Sequence, residues 1–465
     1  MSVCRSSRTA TGFPILLCVV AGLLAACGSR EVEPEVLRYF TADVVHRHDH
    51  FKAPLRWNLL ASNLVYLAFA IVFMGWRLNR RLKLRCEAVA AGWGESLGKL
   101  ALLPRMGKGL GLLWGDGTWG GALLFTLAYL GIQVTLNLPS AFYFSWWYEH
   151  AHGTSVEPLW RWLWDSLKAL VGEAVMLSML SFGLYGLARR RRNWWLLLGV
   201  PGAVGIFALG GLLDPLHAQI YFRHERLAEG PVKERVVEVL EKAKVEYEDI
   251  FQETRSDVTR RTNAYIAGEG PTRRIVLWDT LIRLMTPDEI ANAVAHELGH
   301  LRDRSPGRLV YASLALVPML WALAWALRRL GRRRRFGFDD DRDVASLPMV
   351  FFLQWLVSFG TDPVAAAYGR HLERRADQYA FELLEQPEAF RAMQVKLARS
   401  NLADVHPPAW VRYLIASHPP VMERIEAAER FAWERGIPMR EPSPELFSIP
   451  QELDPLQAAQ KKEEQ

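Results

Sequence analysis

Two histidines four residues apart, with a glutamate after the first, are the residues in this chain best placed to do chemistry. The stretch Val294-Ala295-His296-Glu297-Leu298-Gly299-His300 contains the pattern H-E-x-x-H. On a helix, positions i and i+4 share a face, so both imidazoles can reach one metal ion. Glu297 lies beside the first of them, where it can take a proton from a water activated by the ion and serve as general base. The chemistry this predicts is zinc-assisted hydrolysis. A helix is well started just upstream, since Thr286-Pro287-Asp288-Glu289 supplies an N-cap, a proline at the first helical position and a glutamate at the third.

Catalytic zinc takes three protein ligands and leaves one position open. No Cys or His follows the motif at short spacing. The best later source is Arg370-His371-Leu372-Glu373-Arg374-Arg375-Ala376-Asp377, which reads as a continuing helix. Glu373 and Asp377 share a face, so one can ligate while the other orients a ligand. The residues alone leave His371, Glu373 and Asp377 open. The four cysteines, Cys4, Cys18, Cys27 and Cys86, lie far from these groups. They imply neither a disulfide framework nor a thiolate site.

The elements that must position this site are set in an apolar chain. Half of the 465 residues are hydrophobic, and 18 Trp and 21 Phe are bunched into long runs, the composition of a polytopic membrane protein. The net charge of +6 is gathered in Arg clusters beside those runs. It bears on membrane orientation, and no nucleic-acid partner is expected. Spanning needs about 17–25 mostly apolar residues. Runs of that kind are Trp57–Trp76, Gly121–Trp146, Leu167–Leu187, Trp194–Leu213, Leu309–Leu327 and Ser346–Ala366, with 97–114 as a weaker, Lys- and Arg-bearing candidate.

The fold class expected is a mostly α-helical polytopic membrane protein with six or seven transmembrane helices. Its domains read as a secretory signal over 1–27, an extracytoplasmic linker over 28–56 and a bundle over 57–213. A first polar block over 214–308 is followed by two spans over 309–366, a second polar block over 367–450 and a disordered tail over 451–465. In the first block, Gly230–Ala243 has helical periodicity and Arg273–Trp278 is a short β-rich run. Within 1–27, Arg5 and Arg8 precede an apolar stretch that ends Leu24-Ala25-Ala26-Cys27. That ending is similar to a bacterial lipoprotein signal, in which Cys27 would be lipidated; the alternative is an uncleaved signal anchor.

Several blocks, in order, resemble the M48 peptidases, and more closely their CAAX prenyl protease (Ste24-like) branch. They are Asn263-Ala264-Tyr265-Ile266-Ala267-Gly268, then Arg274 to Leu281, the H-E-L-G-H, Arg370-x-x-Glu373-x-x-Ala376-Asp377, and Ser417-His418-Pro419-Pro420 with Glu423-Arg424-Ile425. The resemblance implies a gluzincin-type zinc metalloprotease domain split between the two polar blocks. It assigns His296, His300 and Glu373 to one zinc ion per chain, with Asp377 orienting the first-ligand region. It makes Asn263, Ala264, Tyr265, Ile266 and Ala267 an edge that pairs with substrate backbone, and puts His418 and Arg424 near the metal. His418 would donate to the developing oxyanion; the alternative is a structural histidine held by its prolines. Tyr148 to Gly153 resembles a stretch lining the family's chamber, but nothing supports His150 or His152 as ligands. Gly369 stands where the family usually has Ser, and the first 56 residues have no counterpart.

The resemblance therefore implies a zinc metalloendopeptidase acting on membrane-associated or lipidated, CAAX-type protein substrates. The alternative is a broad-specificity quality-control peptidase for membrane proteins. A silent scaffold would have lost His296, Glu297, His300 or Glu373, and a transporter would carry more ionisable residues in its spans. The site expected is a bacterial inner membrane. With all Arg clusters cytoplasmic, six spans put the polar blocks outside; the family arrangement of seven spans faces them inward.

Overall fold

The structure is a computed structural model and describes residues 32–100, 118–202, 204–205, 222–302, 307–455 and 457. The leader with Cys27, most of segment 97–114 and the end of the tail lie outside the described residues. Helix α1 (Ala42–Gly75) starts on Thr41, whose side chain accepts from the Val44 N–H. It is followed by α2 (Leu78–Leu100) and α3 (Thr118–Ala141), which runs on through a π-helical turn over Phe142–Trp147 into Tyr148–Ala151. Helix α4 (Leu159–Arg190) completes this group.

A small sheet and its helices come next: β1 (His224–Arg226), α5 (Pro231–Ala243), β2 (Asp249–Glu253), β3 (Ala264–Ala267), β4 (Arg274–Trp278), α6 (Asp279–Leu284) and α7 (Pro287–Arg302). Helices α8 (Gly307–Gly331), α9 (Leu347–Leu384), α10 (Pro387–Ser400) and α11 (Val421–Arg435) follow. The strand order is β1-β2-β4-β3. β2 runs parallel to β4 and β3 antiparallel to it, with Tyr265 opposite Val276. β3 is therefore an edge strand with one row of backbone groups unpaired in the sheet.

α7 forms because its cap and its pattern agree. Glu289 Oε2 accepts from the Thr286 N–H at 2.9 Å, and Thr286 Oγ1 accepts from the Glu289 N–H at 3.4 Å, a reciprocal cap. Ile290, Ala291, Val294, Ala295 and Leu298 make a buried stripe against Ile250, Leu277, Phe381, Phe390 and Phe431. Gly299 lets α7 touch α9, since a Cβ there would lie 2.7 Å from Ala376 Cα. The two polar blocks, far apart in sequence, thus close into one domain around one core.

The expected six or seven spans are not borne out. Among the described residues four helices are long and apolar enough to cross a membrane: Ala42–Gly75, Trp119–Ala151, Leu159–Arg190 and Val344–Leu384. The two other apolar runs differ from these four in that part of each lies against the protein itself or outside the described residues. The run 309–327 lies in α8, where Ala324 and Leu327 bury against Trp194, Phe338 and Met349 while Met319, Trp321 and Trp325 stay exposed. The run 194–213 is helical over 194–202, with Trp194 fully buried, and most of its remainder lies outside the described residues.

Residues 32–56, expected as a linker, are largely helical and dock on the second polar block. Val36, Tyr39, Phe40 and Val44 bury against Val395, Met422, Ile425 and Phe447, and His48 Nδ1 hydrogen-bonds the Ala403 carbonyl at 2.8 Å. Order also extends past Gln451, because Gln451–Leu453 forms a 3-10 turn with Leu453 buried. At the other end of the long helices the basic clusters meet the 332–346 loop. Lys83 pairs with Asp343 at 2.8 Å, and Arg328 with Asp341 at 2.8 Å. The Arg328 guanidinium also donates to the Arg192 carbonyl at 2.6 Å.

Candidate metal centre and active site

Helices α7 and α9 cross where Gly299 meets Ala376, and this crossing sets the site. His296 and His300 project from one face of α7, and Glu373 meets them from α9. The Nε2 atoms of the two histidines are 3.2 Å apart. Glu373 places Oε2 3.3 Å from His296 Nε2 and Oε1 3.3 Å from His300 Nε2. Ligands about 2.0–2.1 Å from a tetrahedral zinc lie about 3.3 Å from one another. The two imidazole nitrogens stand at that spacing, and each carboxylate oxygen of Glu373 stands at it from one of them, so the three side chains converge on one ion-sized position. Glu373 Oε2 is also buried with no hydrogen-bond partner, which a cation would supply. The cluster can hold a metal ion, and its donor set fits zinc.

Behind the ligands the polar groups are closely paired. Asp377 Oδ1 lies 2.9 Å from His296 Nδ1, so the proton sits on Nδ1 and the Nε2 lone pair is free for the ion. Arg424 holds Asp377 with both of its oxygens, Nε to Oδ2 at 2.9 Å and Nη2 to Oδ1 at 2.5 Å. Burial pushes the His296 imidazole down, but hydrogen bonds to Asp377 and Glu373 outweigh it and lift the pKa to about 9. Without an ion the cluster carries a proton that metal binding must release. Glu297, beside it in the same cavity, has its pKa raised by burial, which suits a group that accepts and returns a proton.

Of the three later candidates, only Glu373 joins the histidines. Asp377 backs His296, and His371 is exposed on the other side of α9. His418 Nε2 reaches within 3.3 Å of Glu373 Oε1 while Nδ1 meets Ser417 Oγ at 3.0 Å. Gly369 admits this loop, because a Cβ there would lie 3.0 Å from the Ser417 carbonyl oxygen; Arg370 then binds the Ala416 carbonyl at 2.6 Å. His150 and His152 hydrogen-bond carbonyls one turn back in their own helix. A cavity of about 380 Å³ joins Asn263, Ala264 and Tyr265 of the β3 region to His296, Glu297, His300 and His418. Ile266 and Ala267 continue the strand but do not line it.

Residues 226–432 match peptidase family M48. Over this segment the chain has the M48 peptidase fold. With its His/His/Glu set in place, the domain is that of a metalloprotease. The chain is 32% identical to the metalloprotease YhfN of Bacillus subtilis over 253 residues, 52% of this chain and 58% of that one. It is 28% identical to the CAAX prenyl protease 1 homolog of Oryza sativa over 330 residues, 66% of this chain and 74% of that one. The crystal structure of S. mikatae Ste24p superposes with a TM-score of 0.69 at 17% identity, covering 91% of this chain and all of that one. The last likeness is one of fold.

Sequence reasoning missed the support beneath β3. Tyr265 donates its hydroxyl to Glu253 Oε2 at 2.6 Å, His224 Nε2 lies 2.9 Å from the same oxygen, and Arg255 pairs with Oε1 at 2.8 Å. Burial alone would raise the Glu253 pKa, but these partners hold it below the usual carboxylate range. Tyr265 belongs to the Asn263–Gly268 block, but Glu253, His224 and Arg255 fall in no recognisable motif, and their meeting depends on the sheet pairing.

Proposed function

We propose that this chain is an integral-membrane zinc endopeptidase acting on membrane-associated polypeptides. The observation that carries the reading is the convergence of His296, His300 and Glu373 on one ion-sized position, facing a cavity bordered by a free strand edge. When bound there, zinc would act as a Lewis acid, polarising a carbonyl and acidifying a water.

The chain's own groups would do the rest. The β3 edge, from Asn263 through Ala267, would pair with an extended substrate and hold its backbone in register. Glu297, half-buried and elevated in pKa, would accept the proton of the attacking water and return it to the leaving amine. His418, at the mouth of the cavity, would donate to the oxygen that becomes negative at the scissile carbonyl. Asp377 and Arg424 would hold His296 in the ligating tautomer.

The likeness to plant CAAX prenyl protease homologs supports a lipidated C-terminal substrate. The charge distribution favours a second reading. The Arg clusters gather at the end of the long helices away from the peptidase domain, so by the positive-inside rule that end is cytoplasmic and the zinc centre faces outward. There, unmodified membrane or orphan proteins are the more available substrates. The setting we infer is a bacterial inner membrane, with a lipidated Cys27 compatible with it.

The test is proteolysis by the purified, detergent-solubilised protein with zinc content measured. A farnesylated CAAX peptide and an unmodified unfolded membrane segment would be compared. Glu297→Gln should retain zinc and lose turnover by at least about 100-fold. Cleavage of only the lipidated peptide supports the CAAX reading, and cleavage of the unmodified segment supports the general one. Zinc-free protein that still cleaves would overturn both.

A further inference from the structure

A second cavity of about 360 Å³ adjoins the zinc cleft and shares Gln394, Leu397, His418 and Arg424 with it. Its wall is mostly apolar, built from Leu397, Ala398, Pro407, Val411 and Pro419. The polar groups that reach it are already paired. Asn401 accepts from the Thr262 N–H at 2.9 Å and donates to the Thr262 carbonyl at 3.1 Å. Asp404 is held by Arg56, and Arg424 by Asp377. No charge is left over to attract a charged side chain.

Gln394 is the exception. It is 3% exposed, lines both cavities, and its amide nitrogen is buried with no hydrogen-bond partner. A buried donor left unpaired is costly, and in a binding cleft the natural partner is a carbonyl that arrives with the ligand. An extended peptide on the β3 edge would bring such carbonyls, and would point alternate side chains to opposite sides, so one neighbour of the scissile bond would face α10.

We propose that this cavity is a specificity pocket for one large apolar side chain of the substrate, with the Gln394 amide donating to the substrate backbone at its mouth. The proposal rests on the endopeptidase reading and names the substrate feature that reading leaves open. It makes Ala398 and Val411 determinants of cleavage-site preference, and Gln394 a residue that binds every substrate alike.

The zinc-loaded full chain is tested on a library of unmodified peptides, with the residues around each cut read by mass spectrometry. The parent should prefer Phe or Leu over Ala by tenfold or more at one position flanking the cut. Filling the pocket with Ala398→Phe or, separately, Val411→Phe should lower that ratio about tenfold while other positions keep theirs. Gln394→Met should lower kcat/KM about tenfold on all peptides, mainly through KM, with the ratio unchanged. A parent without preference, or filled variants of parental zinc content that keep it, would overturn the pocket. If the parent cleaves nothing, the endopeptidase reading fails, and the pocket is judged separately by peptide binding to zinc-loaded Glu297→Gln. There a Phe-over-Ala preference lost on filling supports the pocket, and its absence overturns it. Binding confined to farnesylated peptides and removed by filling would make the occupant an isoprenoid and sink the side-chain assignment.

Discussion

Replacing Asp377 tests whether the metal site depends on the groups behind its ligands. Asp377 is 2% exposed, accepts from His296 Nδ1 at 2.9 Å and takes two hydrogen bonds from Arg424. Asp377→Asn keeps one oxygen able to accept from His296 but turns an amide nitrogen toward a buried guanidinium. Asp377→Ala removes both partners. Loss of a group that orients a metal-binding histidine weakens metal affinity by about 10–100-fold, or about 1.4–2.8 kcal/mol. The Asn variant should fall near the low end and the Ala variant near the high end. Folding should suffer more than zinc binding, because breaking a buried pair costs about 3–5 kcal/mol. The nearest other carboxylate for Arg424 is Glu373 at 4.0 Å, and drawing it closer would pull a ligand from the ion. The assay is zinc titration against a competing chelator, with thermal unfolding in detergent at fixed free zinc. Affinity within twofold of the parent in both variants would refute the orienting role.

Three further outcomes can be checked. Gly299→Ala would drive a methyl to 2.7 Å from Ala376 Cα, forcing α7 off α9; a loss of about 1–3 kcal/mol in stability with weakened zinc binding is expected, and parental values for both would show that the crossing is soft. Tyr265→Phe removes a hydroxyl bonded to the buried Glu253 carboxylate, so stability should fall by about 1.5–3 kcal/mol and KM should rise while zinc content holds, as read by calorimetry and peptide kinetics. The Glu253 pKa is lowered in the fold, so its contribution is full above the unfolded value of about 4.3 and is lost as pH falls through the folded one; Tyr265→Phe raises the folded pKa, and acid unfolding should begin at a higher pH than in the parent. For sidedness, Glu241→Cys on the exposed face of α5 should react with an impermeant maleimide on intact cells and Arg333→Cys only after lysis; the reverse pattern would place the zinc centre in the cytoplasm.

How much of this was legible depended on how local each constraint is. His296, Glu297 and His300 could be read because a helical turn alone brings i and i+4 together, and the Thr286 cap with Glu289 marks where that helix starts. Glu373 lies 73 residues beyond His300, so nothing local joins them; the residues left three candidates, the family resemblance pointed to Glu373, and the crossing at Gly299 and Ala376 is what sets it apart physically from Asp377 and His371. The β-rich run was visible as an extended segment and the Asn263–Ala267 edge through the family resemblance, but not the buried Glu253 beneath them, since a lone glutamate in a strand looks like a solvated one. Gln394 was silent for the same reason. Its importance lies in what it does not touch.

Hydropathy also hid how the site is held. A hydropathy window sees composition over about one bilayer thickness, whereas α9 runs 38 residues, about 57 Å at 1.5 Å per residue. It is one rod from the 332–346 loop, where the basic clusters converge, to Leu384 beyond Glu373 and Asp377. The third ligand and its orienting partner are therefore carried by a helix long and apolar enough to cross a membrane, while both histidines sit on α7 among the sheet and its helices. The two halves of the site meet through Gly299, Ala376 and the Asp377–Arg424 pair. Anything that shifts α9 along its axis relative to α7 moves Glu373 against the histidines, and one residue of slip is about 1.5 Å, close to half the 3.3 Å edge that the ligands share. Stability of the helix group and integrity of the metal centre are thus one mechanical problem in this chain.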